Sequence, residues 1–143
     1  MSGGPQVGVG AVVVHQGRVL LVQRGRPPGA GLWAIPGGRQ RLGETLQQAA
    51  EREILEETGV TIRATLPVYT CEHIERDEQD ALRYHYVIVD LAAEYLGGEP
   101  RAGDDASAAR WVAWHDLGNL PLNASSRLAL RTLFPAEAGP YLP

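Results

Sequence analysis

The chain has 143 residues and a formal net charge of −4 at pH 7, a length that suits one folded domain with its own core. The acidic balance excludes the basic footprint of a non-specific nucleic-acid binder, so no large nucleic acid is expected as a partner. The single cysteine, Cys71, excludes an internal disulfide and suits the reducing cytoplasm. No apolar stretch approaches the roughly 20 residues of a membrane-spanning helix, and no signal-peptide pattern is visible. We therefore expect a cytoplasmic protein without membrane contact.

A β-hairpin is predicted near the start of the chain. Residues 7–14 are rich in β-branched side chains, residues 19–22 form a second apolar run, and the Gln-Gly pair at 16–17 supplies a turn between them. Gly8 and Gly10 in the first run weaken the strand or let another group approach its backbone closely.

The next segment, residues 24–31, is a loop by its glycine and proline content. Arg24 at its start carries a side chain suited to phosphate. Residues 32–36 are extended, because the residue before a proline avoids the helical region. Trp33 is assigned to the core for the large area that it buries, and Gly37 lets a ligand approach the backbone without side-chain interference.

A helix is predicted over residues 46–58. Thr45 is a good N-cap, and Gln48 three residues later completes a capping box. No glycine or proline interrupts the segment, and most of its residues favour helix. Gly59 stands where a left-handed C-terminal cap belongs.

Three carboxylates share one face of this helix. Glu53, Glu56 and Glu57 are spaced i, i+3, i+4, so they are neighbours that repel one another. Arg52 reaches Glu56 at i+4, but one guanidinium does not balance three negative charges. A divalent cation would balance them, and hard oxygen ligands suit Mg²⁺ or Mn²⁺. The alternative is a solvated acidic face, which is common on helices.

Two strands are predicted after the helix. Residues 61–71 form one and residues 82–91 its antiparallel partner. The polar stretch 72–81 has no apolar periodicity and is predicted to be a turn or mobile loop. His73 and His85 lack metal-ligand spacing and are interpreted as strand or surface residues.

The last part of the chain contains a second glycine-rich acidic loop at 97–106, a strand at 109–114 and a helix at 124–133. By composition alone, the acids of the loop are interpreted as turn residues. Asn123 either caps the last helix or reads the edge of a purine with its amide.

This order of elements predicts an α/β fold. Strands on both sides of a central helix, followed by a C-terminal helix, give a mixed sheet with helices on both faces. Residues 1–143 are taken as a single domain. Residues 1–5 and 135–143 are expected to be irregular, and the second segment is rich in proline and glycine.

The stretch 38–60 resembles a complete Nudix box, G-x5-E-x7-R-E-U-x-E-E-x-G-U, in which U is aliphatic, with all nine specified positions filled. The lead-in Leu-Trp-Ala-Ile-Pro-Gly-Gly at 32–38 is also similar to that of many Nudix proteins. The resemblance implies an α/β/α sandwich. It also implies a hydrolase in which water cleaves the pyrophosphate of a nucleoside diphosphate linked to another moiety.

The resemblance implies roles for the box residues. Glu53, Glu56 and Glu57 are expected to bind Mg²⁺, with Mn²⁺ as a substitute, and a carbonyl near Gly38 is expected to join them. Glu53 is the first choice for the general base, with the other carboxylates left open because metal-site acids titrate together. Arg52 is expected to orient a box carboxylate through a charge-assisted hydrogen bond.

Further contacts are expected outside the box helix. Glu44 either supports the metal site, adds a ligand, or is a helix-entry acid favoured by the helix dipole. Arg24 and Gly37 are expected to bind the substrate, together with Asn123 where it does not serve only as a cap.

One acid of the second glycine loop is expected to join the metal site. Asp105 lies six residues before Trp111, a spacing that resembles oxidised-nucleotide sanitisers with a metal-binding acid there. Glu99 and Asp104 are its rivals.

The substrate is left open between two classes. The chain resembles small bacterial ADP-ribose pyrophosphatases, so ADP-ribose or a related nucleotide sugar is the first expectation. A proline typical of established ADP-ribose enzymes is absent, and Glu75 and Arg76 occupy that region. A (d)NTP pyrophosphohydrolase that releases NMP and pyrophosphate is the alternative.

A non-catalytic nucleotide-binding regulatory module is the alternative of another class. Such modules usually lose box carboxylates, which are intact here. In either case a small-molecule nucleotide is the expected partner. The resemblance also allows a homodimer.

Overall fold

The computed structural model describes residues 3–143. No helix within this range combines the length and apolar character needed to cross a membrane. The described strands and helices follow one another as β1 (Gln6–His15), β2 (Arg18–Arg24), β3 (Trp33–Ala34), β4 (Gly37–Arg39), α1 (Leu46–Thr58), β5 (Thr61–Arg76), β6 (Leu82–Gly97), β7 (Ala106–Ala113), a 3-10 segment (Trp114–Asn119), α2 (Ala124–Leu133) and a second 3-10 segment (Gly139–Tyr141).

The strands form a mixed sheet. β1 runs parallel to β6 and antiparallel to β2, in the order β3-β2-β1-β6-β5, while β4 pairs with β1 and β7 pairs with β2. The predicted hairpin is confirmed, since Val14 pairs with Val19. Gln16 and Gly17 between them both have positive φ, as a tight turn that matches the strand twist requires.

Hydrophobic cores lie on both faces of the sheet. α1 contributes Ala49, Ala50 and Ile54 to one core, against alternate residues of β1. α2 contributes Leu130 to the other core, which also contains Trp33. The predicted α/β arrangement with helices on both faces is confirmed. Trp33 is only 8% exposed, so its assignment to the core is confirmed as well.

The strands β5 and β6 form a long antiparallel hairpin. Their pairing was predicted and is confirmed, but the predicted loop at 72–81 is wrong in its first half, because β5 continues to Arg76. Backbone pairing with β6 stabilises this polar segment, and its residues alternate between half-buried and exposed rather than between apolar and polar. Only residues 77–81 turn, with Asp77 accepting the amides of Gln79 and Ala81.

The C-terminal segment is more ordered than predicted. Residues 135–143 include the 3-10 segment Gly139–Tyr141, and Ala138 and Leu142 are fully buried in the core beneath α2. The proline- and glycine-rich composition did not predict these two apolar contacts, which stabilise the segment against the core. At the other end, residues 3–5 precede β1 without regular structure, as expected, and the first two residues of that segment lie outside the described range.

Candidate active site

The helix α1 is built as its sequence predicts. Thr45 Oγ1 accepts the Gln48 amide at 3.0 Å, Gln48 Oε1 accepts the Thr45 amide at 2.9 Å, and Gly59 closes the helix with φ 75°. The apolar face of α1 is held against β1. The box carboxylates consequently lie along its flank, beside β4 and the loop before β7.

Glu57 is anchored to the start of β4. Its Oε1 accepts a hydrogen bond from the Gly37 amide at 3.0 Å. Burial raises the pKa of Glu57 to about 7, with a further contribution from the charge of Glu53, although the Gly37 hydrogen bond and the charge of Arg24 act in the opposite direction. In the absence of a metal ion, the Glu57 carboxyl therefore changes between its protonated and ionised forms near neutral pH.

The two glycines of β4 are required by close packing. A Cβ at Gly37 would collide with the backbone of Val9, and a Cβ at Gly38 would collide with the carboxylate of Glu53. Gly37 was predicted to belong to the site because it lacks a side chain, and Gly38 because the family resemblance implies a metal-binding carbonyl there. The structure brings them directly against the box carboxylates.

Arg52 organises two acidic side chains. Its guanidinium binds Glu44 through two hydrogen bonds of 2.6 and 2.8 Å and Glu53 through one of 2.5 Å. Glu56, the partner expected from helical spacing, lies farther away at 3.5 Å. The Arg52 hydrogen bonds lower the pKa of Glu44 to about 2, so Glu44 is charged at any physiological pH. Sequence spacing alone did not reveal this contact, because Glu44 precedes the helix.

Three acids come together in what we call the carboxylate cluster: Glu53, Glu56 and Asp104. One oxygen of each lies within 4.8 Å of the others. Asp105, the acid chosen from the sequence, instead pairs with Arg26 at 3.1 Å, and both of these side chains are exposed. The structure thus places the rival Asp104 in the cluster, while Glu99 is not part of it.

The position of Asp104 follows from the loop geometry. The Gly103 amide donates to the Glu57 carbonyl at 2.9 Å, and a Cβ at Gly103 would collide with the Glu56 carbonyl. The loop therefore lies directly on the end of α1. Asp104 itself has φ 50°, the left-handed conformation that aspartate tolerates better than most residues.

The remaining predicted residues lie around this centre. Arg24 Nε donates to the Pro28 carbonyl at 2.6 Å, which fixes the side chain near Glu57. Asn123 caps α2, since its side-chain oxygen accepts a hydrogen bond from the Ser126 backbone amide at 2.9 Å. The backbone N–H of Asn123 donates to the Trp33 carbonyl. The cap interpretation of Asn123 is confirmed, while contact with a purine stays a prediction.

The donor set of the carboxylate cluster fits a hard divalent cation. Its carboxylate oxygens are the ligands that Mg²⁺ and Mn²⁺ prefer, and their mutual repulsion is relieved when such an ion binds. Glu57 lies next to the cluster and adds a fourth carboxylate beside it. His85 Nε2 lies 2.9 Å from Glu72 Oε2, and His73 Nε2 lies 3.8 Å from Glu75 Oε1, beyond hydrogen-bond distance. Neither histidine belongs to the carboxylate cluster, as expected for strand residues.

Comparisons with known proteins agree with this geometry. A family model described as the NUDIX domain matches residues 4–133. The chain is 37% identical over 119 residues to a Methanocaldococcus jannaschii protein named ADP-ribose pyrophosphatase, covering 82% of this chain and 65% of that protein, which is slightly less than two thirds of its length. It is 37% identical over 122 residues to a Mycobacterium tuberculosis protein named putative 8-oxo-dGTP diphosphatase 2, covering 81% of each.

A solved structure matches over nearly the whole chain. The MutT NUDIX hydrolase from Burkholderia pseudomallei superimposes with a TM-score of 0.74 at 38% identity, covering 90% of this chain and 98% of that one. The filled Nudix box, the mixed sheet with helices on both faces and the match to the family model point to the same conclusion. This chain belongs to the Nudix hydrolase family.

Proposed function

We propose that this protein is a Mg²⁺-dependent hydrolase that cleaves the pyrophosphate of a nucleoside diphosphate linked to another moiety. The observation that carries the proposal is the carboxylate cluster, held beside the half-buried Glu57 at the glycine-lined edge of β4. Water attacks one phosphorus, the bond from that phosphorus to the bridging oxygen breaks, and a carboxylate accepts the proton of the water.

The cluster residues Glu53, Glu56 and Asp104 would hold the metal, together with Glu57. A bound Mg²⁺ neutralises phosphate charge and makes water a better nucleophile. Arg52 keeps the Glu53 carboxylate in one orientation. Glu53 is our choice for the proton acceptor, because Arg52 holds its carboxylate on one side and the lack of a side chain at Gly38 lets the carboxylate pack directly on β4 on the other.

The substrate side is proposed to involve Arg24 and Asn123. Arg24 lies near Glu57 and supplies a positive charge for a phosphate. The N-terminus of α2, capped by Asn123, lies beside β3 through the contact of Asn123 with Trp33. We infer that the nucleoside lies between these elements while the pyrophosphate lies against the carboxylates.

Two substrate classes are favoured by specific relatives. The archaeal relative is named an ADP-ribose pyrophosphatase, which favours ADP-ribose or another nucleotide sugar. The mycobacterial relative is named a putative 8-oxo-dGTP diphosphatase, which favours a (d)NTP. The two activities release different products and are therefore separable in one assay.

The test is incubation of the purified protein with Mg²⁺ and a panel of ADP-ribose, other nucleotide sugars, dinucleoside polyphosphates, and ordinary and oxidised (d)NTPs. Products are separated by chromatography. AMP with ribose phosphate supports the nucleotide-sugar class, and a nucleoside monophosphate with pyrophosphate supports the (d)NTP class. EDTA should abolish either reaction. No turnover of any compound, with Glu57→Gln behaving identically, would overturn the proposal in favour of a regulatory binding module.

A further inference from the structure

The strand β5 ends the sheet with an open edge. The order β3-β2-β1-β6-β5 leaves its outer side without a neighbouring strand. Near α1 this side is covered, because Glu51 accepts the Ala64 amide and Gln47 donates to the Thr65 carbonyl. Register shifts on both sides of a proline at position 67 interrupt the next stretch. The backbone of residues 70–76 pairs with β6 and is reached by no other hydrogen bond from residues 3–143.

The outer part of the β5–β6 hairpin also lacks a cover on its faces. No residue from 65 to 89 is fully buried, whereas the base of the hairpin contributes Ile62, Ala64 and Leu91 to the core. Ile74, in the open segment of β5, is 52% exposed. An open strand edge that carries an exposed apolar side chain is a template for pairing with another chain.

The sequence around Ile74 is complementary to itself. Residues 72–76 read Glu-His-Ile-Glu-Arg. When two antiparallel copies pair about a two-fold axis at Ile74, residues equidistant from Ile74 face each other. Glu72 then lies opposite Arg76 of the second copy, and His73 lies opposite Glu75. The symmetry forms each of these pairs twice, on either side of one apolar contact between the two isoleucines.

Neighbouring registers lose this complementarity. Directly opposite residues share one face of a sheet, so the axis moves in steps of one residue. An axis one residue earlier places Glu72 opposite Ile74, and an axis one residue later places Arg76 opposite Ile74. Of these three registers, only the one centred on Ile74 gives both charged side chains a partner of opposite charge. Both are accessible, since the Glu72 and Arg76 side chains are 58% and 53% exposed.

We propose that β5 is a homodimer interface, at which it pairs antiparallel with β5 of a second copy about a two-fold axis at Ile74. The pairing joins the two sheets into one continuous sheet. Because the open segment is short, the interface buries less than the about 1,200 Å² of standard-size complexes, and the dimer is weak and reversible. The carboxylate cluster takes no part in these contacts, so the inference is independent of the proposed function.

The first test follows the dimer by sedimentation velocity over protein concentrations from about 1 to 500 μM, the range of a weak complex. Wild type should shift from monomer to dimer. Glu72→Arg and Arg76→Glu each place like charges opposite each other twice, so each should weaken the dimer about 10-fold or more. Arg18→Glu, at an exposed residue of β2, makes the same charge change as Arg76→Glu and should leave the dimer intact. A wild type that is monomeric throughout, or equal effects of Arg18→Glu and Arg76→Glu, would overturn the proposal.

The decisive measurement mixes the Glu72→Arg and Arg76→Glu proteins, after circular dichroism has shown that both are folded. In a mixed dimer the two arginines of one chain face the two glutamates of the other, so the dimer should return although each variant alone stays monomeric. The two positions lie about 13 Å apart along one strand, so an ion pair between them within one chain cannot cause the recovery. A mixture that stays monomeric would refute the register.

A disulfide across the axis gives an independent readout. Ile74→Cys in a Cys71→Ser background should form a covalent dimer under mild oxidation, because directly opposite Cβ atoms lie about 4.5–5.5 Å apart. Leu66→Cys in the same background is the control, since Leu66 is 70% exposed but lies outside the open segment. Equal crosslinking of the two variants would show that β5 does not pair at Ile74.

Discussion

Glu57 Oε1 accepts the Gly37 amide at 3.0 Å, which joins the last turn of α1 to the first residue of β4 across 20 positions of sequence. This hydrogen bond fixes the distance between the box helix and the glycine strand. Glu53 packs on Gly38 of the same strand and Asp104 lies on the end of the same helix, so this contact is one of several that position the carboxylate cluster.

Glu57→Gln should remove the charge and keep this contact, because the amide oxygen still accepts from Gly37. We expect kcat to fall about 100-fold or more, with little change in the melting temperature. Steady-state kinetics and thermal unfolding check both expectations. Glu78→Gln, at an exposed acid of the β5–β6 turn, is the control. Normal turnover of Glu57→Gln would disprove the assignment of the metal site.

Arg52→Lys should weaken the site without removing the positive charge. A lysine cannot form the two-pronged contact with Glu44 while also holding Glu53. We expect a loss of about 10- to 100-fold in metal affinity or activity, and a Mg²⁺ titration of activity measures it. Arg63→Lys alters an exposed pair with Glu94 and should leave the titration unchanged. Identical curves for the two variants would refute the role of Arg52.

Asp104→Asn should lower turnover more than Asp105→Asn or Glu99→Gln. Asp104 is the loop acid in the carboxylate cluster, whereas Asp105 forms an exposed pair with Arg26, and such pairs contribute little. Parallel kinetics of the three variants at saturating Mg²⁺ decide the order. The sequence-based choice of Asp105 would be restored if its variant were the most impaired.

Gly38→Ala should displace the Glu53 carboxylate, which occupies the space that a Cβ would need. Misplacement of a reacting group by about 1 Å can reduce the rate roughly 100-fold, and we expect a loss of that order in kcat. Gly97→Ala is the control, because a Cβ there meets nothing within 4 Å. Circular dichroism should show both variants folded. Full activity of Gly38→Ala would mean that Glu53 has another productive position.

Asp90 should make the metal-free protein less stable as the pH rises. Burial raises its pKa from 3.8 to about 6, so the folded state binds the proton more tightly than the unfolded state. The stabilising contribution of the protonated acid is complete below about pH 4 and is lost as the pH passes 6. Tyr69 lies opposite Asp90 on β5, and Cys71 is a second titratable group on that strand. Burial and then the charge of Asp90 raise the pKa of Cys71 from its usual 9.0, so the thiol stays neutral throughout this range.

Asp90→Asn should lack this pH dependence. Its unfolding free energy relative to wild type should grow between pH 4 and pH 7 by up to about 3 kcal/mol, at about 1.4 kcal/mol for each pH unit between the two pKa values. Urea unfolding in EDTA at several pH values measures the difference. A constant difference from pH 4 to pH 7 would show that the Asp90 carboxyl does not ionise with a raised pKa.

Local patterns were sufficient for much of this protein. The capping box, the uninterrupted helix and Gly59 determine α1, and the Gln-Gly turn determines the β1–β2 hairpin, because each depends on residues within one or two turns of each other. The spacing of Glu53, Glu56 and Glu57 also places them on one helix flank before any tertiary contact forms. These features are properties of the sequence by itself.

Contacts between distant segments decided the rest. The pairing of β5 with β6 converts a polar stretch into strand, and the burial of Leu142 orders a segment with the composition of a loop. Asp104 rather than Asp105 joins the cluster because Gly103 docks on the end of α1, and Asp90 becomes a buried acid only when β1 lies beside it. Periodicity and spacing describe neighbours along the chain, whereas charge, burial and access to a ligand depend on which segments the fold brings together.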